Sequence, residues 1–165
     1  MRWVLIVVGV VATLVILMAL VGMLLPVRHV ASHSAVVRGA PEEVWRTITN
    51  VPDFPAWRTD VSSAKALPEE GGRGRWEERG SNGTIVYEVA ELDPPRRLVS
   101  RIATTGLPFG GSWTYELEPA DSGTRVSITE RGEVYNPIFR FLSRFVFGHT
   151  GTMETYLRDL ARKQR

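Results

Sequence analysis

Ser112-Trp113-Thr114-Tyr115-Glu116-Leu117-Glu118 decides how the chain is read. Apolar and polar residues alternate throughout, so Trp113, Tyr115 and Leu117 share one face and Thr114, Glu116 and Glu118 the other. That period of two marks a strand with one face buried. Asp121-Ser-Gly then turns the chain into Thr124–Glu133, where Val126 and Ile128 point inward. Glu130 continues that alternation and is expected to face the same way. Upstream, Gly106–Gly111 reads as a Gly/Pro loop, preceded by a strand at Arg97–Thr104 and the turn Asp93-Pro-Pro. Before it, Thr84–Leu92 sets Ile85, Tyr87 and Val89 on one face. Ser81-Asn82-Gly83 is a hairpin turn, because Asn-Gly tolerates the positive φ of a type I′ turn. Arg73–Arg79 and Val61–Leu67 complete about six antiparallel strands.

The flanks supply helices. Ala31–Arg38 alternates weakly as a strand, and Gly39-Ala-Pro-Glu-Glu starts a helix with Pro41 in the first turn. Two prolines in Asn50-Val-Pro-Asp-Phe-Pro break it, and Asp53–Trp57 is expected to form a short helical turn. At the other end Ile138, Leu142, Phe145, His149, Met153, Tyr156 and Leu160 recur at helical spacing. They predict one long C-terminal helix, with Asn136 as N-cap and Pro137 at its first position. Only that helix is long enough to cover the apolar side of the sheet.

Three stretches resemble the START-like helix-grip superfamily, in particular its polyketide cyclase/dehydrase-like members. Val36-Val-Arg-Gly-Ala-Pro-Glu-Glu-Val-Trp45 is similar to the family's first strand and helix. Ile48-Thr-Asn-Val-Pro-Asp-Phe-Pro-Ala-Trp57 is similar to its lead-in to the sheet. Trp113-Thr-Tyr-Glu-Leu-Glu-Pro119 with Gly123-Thr-Arg-Val126 is similar to its late hairpin. The resemblance covers roughly residues 31–163. It implies an α+β helix-grip fold, a curved antiparallel sheet around a long C-terminal helix, with a cavity between them. Members bind lipids, sterols, polyketides or hormones, and some are enzymes, so the fold alone does not choose a function.

Ahead of this domain, Trp3–Leu25 is a run of 23 residues without a charge. As a helix it would span about 34 Å, enough for a ~30 Å hydrocarbon core with some tilt. It is too long for the apolar core of a signal peptide, and the pattern at Ala31, His33 and Ala35 makes a poor cleavage site. The run reads as one uncleaved transmembrane helix meeting the lipid bilayer through residues 3–25, with Arg2 and Arg28 bracketing it. The expected division is residues 1–28 as anchor and tether, and 29–165 as the helix-grip domain. The tether, Pro26 to about Val30, would hold the domain against the bilayer surface. Positive charges on the two sides are close to a tie. The two-residue head favours a domain outside the cytoplasm.

Trp76, Tyr87, Trp113, Tyr115, Ile128 and Phe145 fall on the presumed concave face and together suit an apolar small-molecule pocket. Each alone also fits ordinary core packing. His149 sits on the apolar stripe of the last helix between Gly148 and Gly151, glycines that each cost about 1 kcal/mol relative to Ala in a helix interior. It is a candidate polar group in the cavity. Glu130 is a second, with Arg101, Arg131 or Arg58 as partner. Glu78, two residues after Trp76, is a weaker case of the same kind. Phe139, Phe141 and Phe147 lie off the main stripe and suit either strand packing or the membrane surface.

Composition narrows the chemistry. The absence of cysteine removes disulfides, thiolate metal sites and a cysteine nucleophile. His29 and His33 are four apart but lack an acidic third ligand, so no metal is expected. No Walker, dinucleotide or G-x-S-x-G pattern occurs, and no cofactor is expected. The 20 basic residues, 18 of them Arg, face 18 acids, and that balance gives no case for nucleic acid. The mean hydropathy of -0.06 averages a very apolar span with a polar domain. The leading expectation is membrane-anchored binding or transfer of a hydrophobic small molecule, a lipid or an isoprenoid- or polyketide-like compound. The alternatives are a cyclase- or hydrolase-type enzyme using Glu130 and His149, and a structural or partner-binding domain with a filled core.

Overall fold

A computed structural model describes residues 1–165. The apolar run forms α1, Arg2–Leu24. It is long and apolar enough to cross a membrane, and its side chains are exposed along nearly its whole length. Only near its C-terminal end is it covered: Met18, Ala19 and Leu25 are half-buried and Gly22 is buried.

The chain then enters β1, Arg28–Val37, without a longer tether. Val30, expected in the tether, is already paired with Arg131. Gly39 turns the chain at a φ of +99° into α2, Pro41–Thr49. Pro41 opens the helix where its missing N–H is not needed, and the Ala40 N–H donates to the Glu43 carboxylate. A single 3-10 turn at Val51–Asp53 leads into α3, Phe54–Trp57, the expected helical turn.

Six strands follow: β2 Val61–Glu70, β3 Arg73–Gly80, β4 Gly83–Asp93, β5 Arg97–Ile102, β6 Phe109–Ala120 and β7 Gly123–Val134. With β1 they form one sheet in the order β1-β7-β6-β5-β4-β3-β2, antiparallel throughout. Irregular register in β2 and at Val89/Glu91 in β4 bends these strands. β6 begins inside the expected Gly/Pro loop, because Gly110 and Gly111 pair with Glu133 and Gly132. On the outer face Arg and Glu pair across strands, Arg73 and Arg101 on Glu88, and Arg97 with Glu91 and Glu116. Three of the 18 arginines are thereby held on a solvated surface.

The single long C-terminal helix is corrected to two pieces. α4, Pro137–Leu142, is capped by the Asn136 side chain and followed by a π-helical turn at Ser143–Phe147. Gly148 breaks it at a φ of +72°, which glycine alone adopts without strain. α5, Gly151–Lys163, then packs on the sheet through Met153, Tyr156, Leu157 and Leu160. These meet Val37, Val44, Ile48, Trp57, Leu117, Val126 and Ile128 in one core. Asp159 is fully buried there and accepts hydrogen bonds from the Thr59 N–H and hydroxyl at 2.7 and 2.6 Å.

Candidate functional site

Cross-strand register places one row of side chains on the concave face. Glu130 stands opposite Trp113, Trp113 opposite Ser100, and Ser100 opposite Val89. Trp76 stands opposite Tyr87, and Glu78 opposite Ile85. Between this face and α5 lies a cavity of about 170 Å³. Trp76, Tyr87, Trp113 and Tyr115 form aromatic walls. Trp76 stacks on Tyr87 with centroids 5.3 Å apart, and Trp113 and Tyr115 both pack on Tyr156.

One side of the cavity is charged. The Arg58 guanidinium donates to both Asp60 oxygens at 3.2 and 2.8 Å and to the Glu78 carboxylate at 2.9 Å. The Trp76 indole N–H donates to the same Glu78 oxygen at 2.7 Å. Glu78 is only 7% exposed, so this pairing is what makes its charge tolerable there. Arg58 also lies 5.3 and 5.2 Å from the Phe54 and Tyr156 ring centroids. Burial works against its charge, but the Asp60 hydrogen bond and the Glu78 and Asp60 charges outweigh it, and Arg58 is held more firmly protonated than usual. Burial first, then the nearby Glu78 charge, pushes the Tyr87 phenol upward. Burial does the same to Tyr115 and Tyr156, so all three remain neutral donors.

A second polar group sits toward the other side. The Trp113 indole N–H donates to Glu130 at 2.8 Å, and the other Glu130 oxygen lies 3.0 Å from His29 Nε2. The His29 ring stacks on His149 at 3.9 Å between centroids. Gly132 makes room for it, since a Cβ there would fall 2.3 Å from the His29 ring. Burial and the His29 charge hold the His149 pKa below the ordinary histidine value, against the opposing pull of Glu130.

The sequence-derived candidates are therefore distributed unevenly. Trp76, Tyr87, Trp113, Tyr115 and Glu130 line the cavity. Ile128 is fully buried in the core beneath Tyr115, its cross-strand partner. Phe145 does not reach the cavity and is 59% exposed, because the helix bearing it breaks at Gly148 before reaching the sheet. His149 sits at that break against His29 and does not line the cavity. Glu130 is partnered by His29 and Trp113, while Arg58 serves Glu78 and Asp60. Asp60 and His29 carry part of the polar architecture without having been singled out for it, and Arg58, weighed as a partner for Glu130, pairs with Glu78 and Asp60. For Arg58 and Asp60 a signal existed, opposite charges two residues apart at the mouth of a strand.

The cavity opens at a definite end of the sheet. Register links Arg28 to Glu133, Glu133 to Gly110, Arg101 to Ser112, Tyr87 to Ile102, and Gly83 to Gly80. All lie toward the end at which α1 joins β1. Gly80–Gly83, Ile102 and Phe109–Gly111, which line the cavity, belong to that same end.

Residues 28–165 match the model of a family described as polyketide cyclase/dehydrase and lipid transport. A comparison with curated proteins finds no match. Among solved structures, a START superfamily protein from Mycobacterium smegmatis is similar at a TM-score of 0.67 and 14% identity, covering 82% of this chain and 97% of that one. Zhui aromatase/cyclase from Streptomyces sp. R1128 is similar at a TM-score of 0.68 and 14% identity, covering 83% and 93%. The di-domain aromatase/cyclase StfQ of the steffimycin biosynthetic pathway is similar at 0.67 and 12% identity, covering 84% of this chain and 51% of that one. These likenesses establish the helix-grip fold.

Proposed function

We propose that this chain, which belongs to the polyketide cyclase/dehydrase and lipid transport family, is a membrane-anchored binding or transfer protein for a hydrophobic small molecule with a polar end. The observation that carries this is the cavity itself, with aromatic walls, one buried charged side and a mouth at the end of the sheet where α1 joins. Its apolar walls favour a ring or a branched chain. The neutral phenols and the Arg58 cluster suit a carbonyl or hydroxyl.

Size limits the ligand. A cavity of about 150 Å³ holds a single aromatic ring, so 170 Å³ takes one ring or a short isoprenoid end, with the remainder of a larger molecule in the mouth. A lipid-facing mouth suits such a ligand, whose long part can stay in the bilayer. α1 serves as the anchor, and the division from the binding domain falls near residue 28.

Native mass spectrometry of the full chain released from micelles tests this reading. A bound apolar molecule is expected on the wild type and a reduced amount on Ser100→Trp, which fills the cavity next to Trp113. A wild type free of any such molecule, and unchanged in melting temperature by added isoprenoid alcohols, would refute it. The acid–base enzyme reading now rests on the His29–Glu130 pair and not on Glu130 with His149.

A further inference from the structure

We infer that Ile138–Phe147 is a second membrane element, lying in the plane of the bilayer surface beside the end of α1. The inference rests on the proposed anchoring by α1.

The segment is exposed where a water-soluble surface would be polar. Phe139 is 51% exposed, Phe145 59%, Val146 61% and Phe147 71%. Phe145 packs on Phe141 of the same segment at 5.0 Å between centroids, and these side chains stay largely open because the chain turns away at Gly148 before α5 reaches the sheet.

α1 determines what covers them. α4 packs against its last two turns, where Met18, Ala19, Gly22 and Leu25 form one shielded face. The fit at Gly22 is so close that a Cβ would overlap the Pro137 carbonyl. Arg140 donates to the Leu25 carbonyl at 2.9 Å and to the Tyr135 carbonyl at 3.2 Å, tying α4 to the end of α1. Met18 to Leu25 spans about 10 Å of helix rise. A bilayer that takes in α1 to this depth must meet the segment beside it.

The residue pattern matches that position. Aromatic and aliphatic side chains are interleaved with Arg140 and Arg144, cations suited to the headgroup level. Directly after the segment, His149 stacks on His29, which is bonded to the cavity carboxylate Glu130. The segment therefore ends where the site begins, and its embedding would hold the cavity mouth on the lipid surface.

The cysteine-free chain allows a direct test in phosphatidylcholine vesicles. Leu14→Cys, Leu92→Cys, Phe145→Cys and Phe147→Cys in the full chain are each labelled with an environment-sensitive fluorophore. Leu14 lies mid-way along α1, and Leu92 is exposed at the opposite end of β4. Lipids bearing a nitroxide high on the acyl chain should remove about half the emission at 145 and 147, as for a probe ~5–10 Å below the headgroups. They should leave Leu92→Cys unchanged, and a nitroxide near the chain end should quench Leu14→Cys. If 145 and 147 behave like 92 while 14 is quenched, the inference is overturned and the anchor stands. If 14 is also unquenched, the anchor and the inference fall together.

Discussion

Replacing Arg58 by Met tests whether the charged side of the cavity is held by one cation. Met keeps much of the side-chain volume and removes only the guanidinium, so packing changes little. Two carboxylates then lose their partner, with different consequences. Asp60 is about a quarter exposed and can turn to water. Glu78 is buried and keeps only the Trp76 indole donor. Removing one partner of a buried pair costs about 3–5 kcal/mol. The single rehydrating carboxylate and the retained indole bond place Arg58→Met at the lower end, about 3 kcal/mol. At ~2–4 °C per kcal/mol for a chain of this size, the melting temperature should fall by about 6–12 °C. Thermal melts of the full chain in a nonionic detergent, followed by tryptophan fluorescence, measure it directly, since Trp57 and Trp76 lie in the core. Glu78→Met alone should cost less, because Arg58 retains Asp60. The double variant should be more stable than the sum of the single losses by about 2 kcal/mol. Additive losses, or a shift below about 2 °C for Arg58→Met, would refute the assignment of Glu78's burial to Arg58.

Asp159→Asn should destabilise the domain by about 2 kcal/mol, because a buried acceptor of two Thr59 hydrogen bonds is weakened, and the same melts measure it. Burial opposes the charge of Asp159, but the Thr59 bonds prevail and hold its pKa below the usual carboxylate value. Its contribution is therefore present at neutral pH and lost as pH falls below about 3.9. His149 also favours its deprotonated form, which for a histidine is the neutral one. Its depressed pKa means that the unfolded chain takes up the proton first, so stability is intact above the ordinary histidine range and declines as pH falls through about 6.5. His149→Phe should lose less melting temperature between pH 7.5 and pH 5.5 than the wild type, by an amount about that of one titrating group; an unchanged slope would rule out its part. Gly22→Leu should separate α4 from α1 and speed tryptic cleavage after Arg144, whereas Gly9→Leu, with open space at its Cβ, should not.

The sheet was legible because its signals are local. Alternation in Ser112–Glu118 and Thr84–Leu92, and Asn-Gly at 82–83, need no knowledge of the rest of the chain. Termination was harder to read. The stripe from Ile138 to Leu160 keeps helical spacing across Gly148, so periodicity alone joined what the structure divides. Composition signalled the break: Gly148 and Gly151 lie three apart in a segment otherwise suited to helix. The helix-interior cost of Gly148 does not arise, because it serves a left-handed turn.

The polar partnerships were illegible for a different reason. Alternation can place Glu130 on the concave face, but its partner depends on which strand lies beside β7. That neighbour is β1, about a hundred residues away in sequence, and it brings His29 to Glu130. None of the three arginines weighed for Glu130 occupies that edge. Reading the tether as reaching Val30 leaves His29 weighed only with His33 as a metal ligand and not as a cross-strand partner. Once Arg28 starts β1, α1, the histidine pair and the cavity carboxylate become consecutive parts of one edge of the sheet. An altered angle between α1 and β1 would therefore bear on His29, and through it on Glu130. This is the physical reason to test membrane depth and ligand occupancy on the same full-length protein.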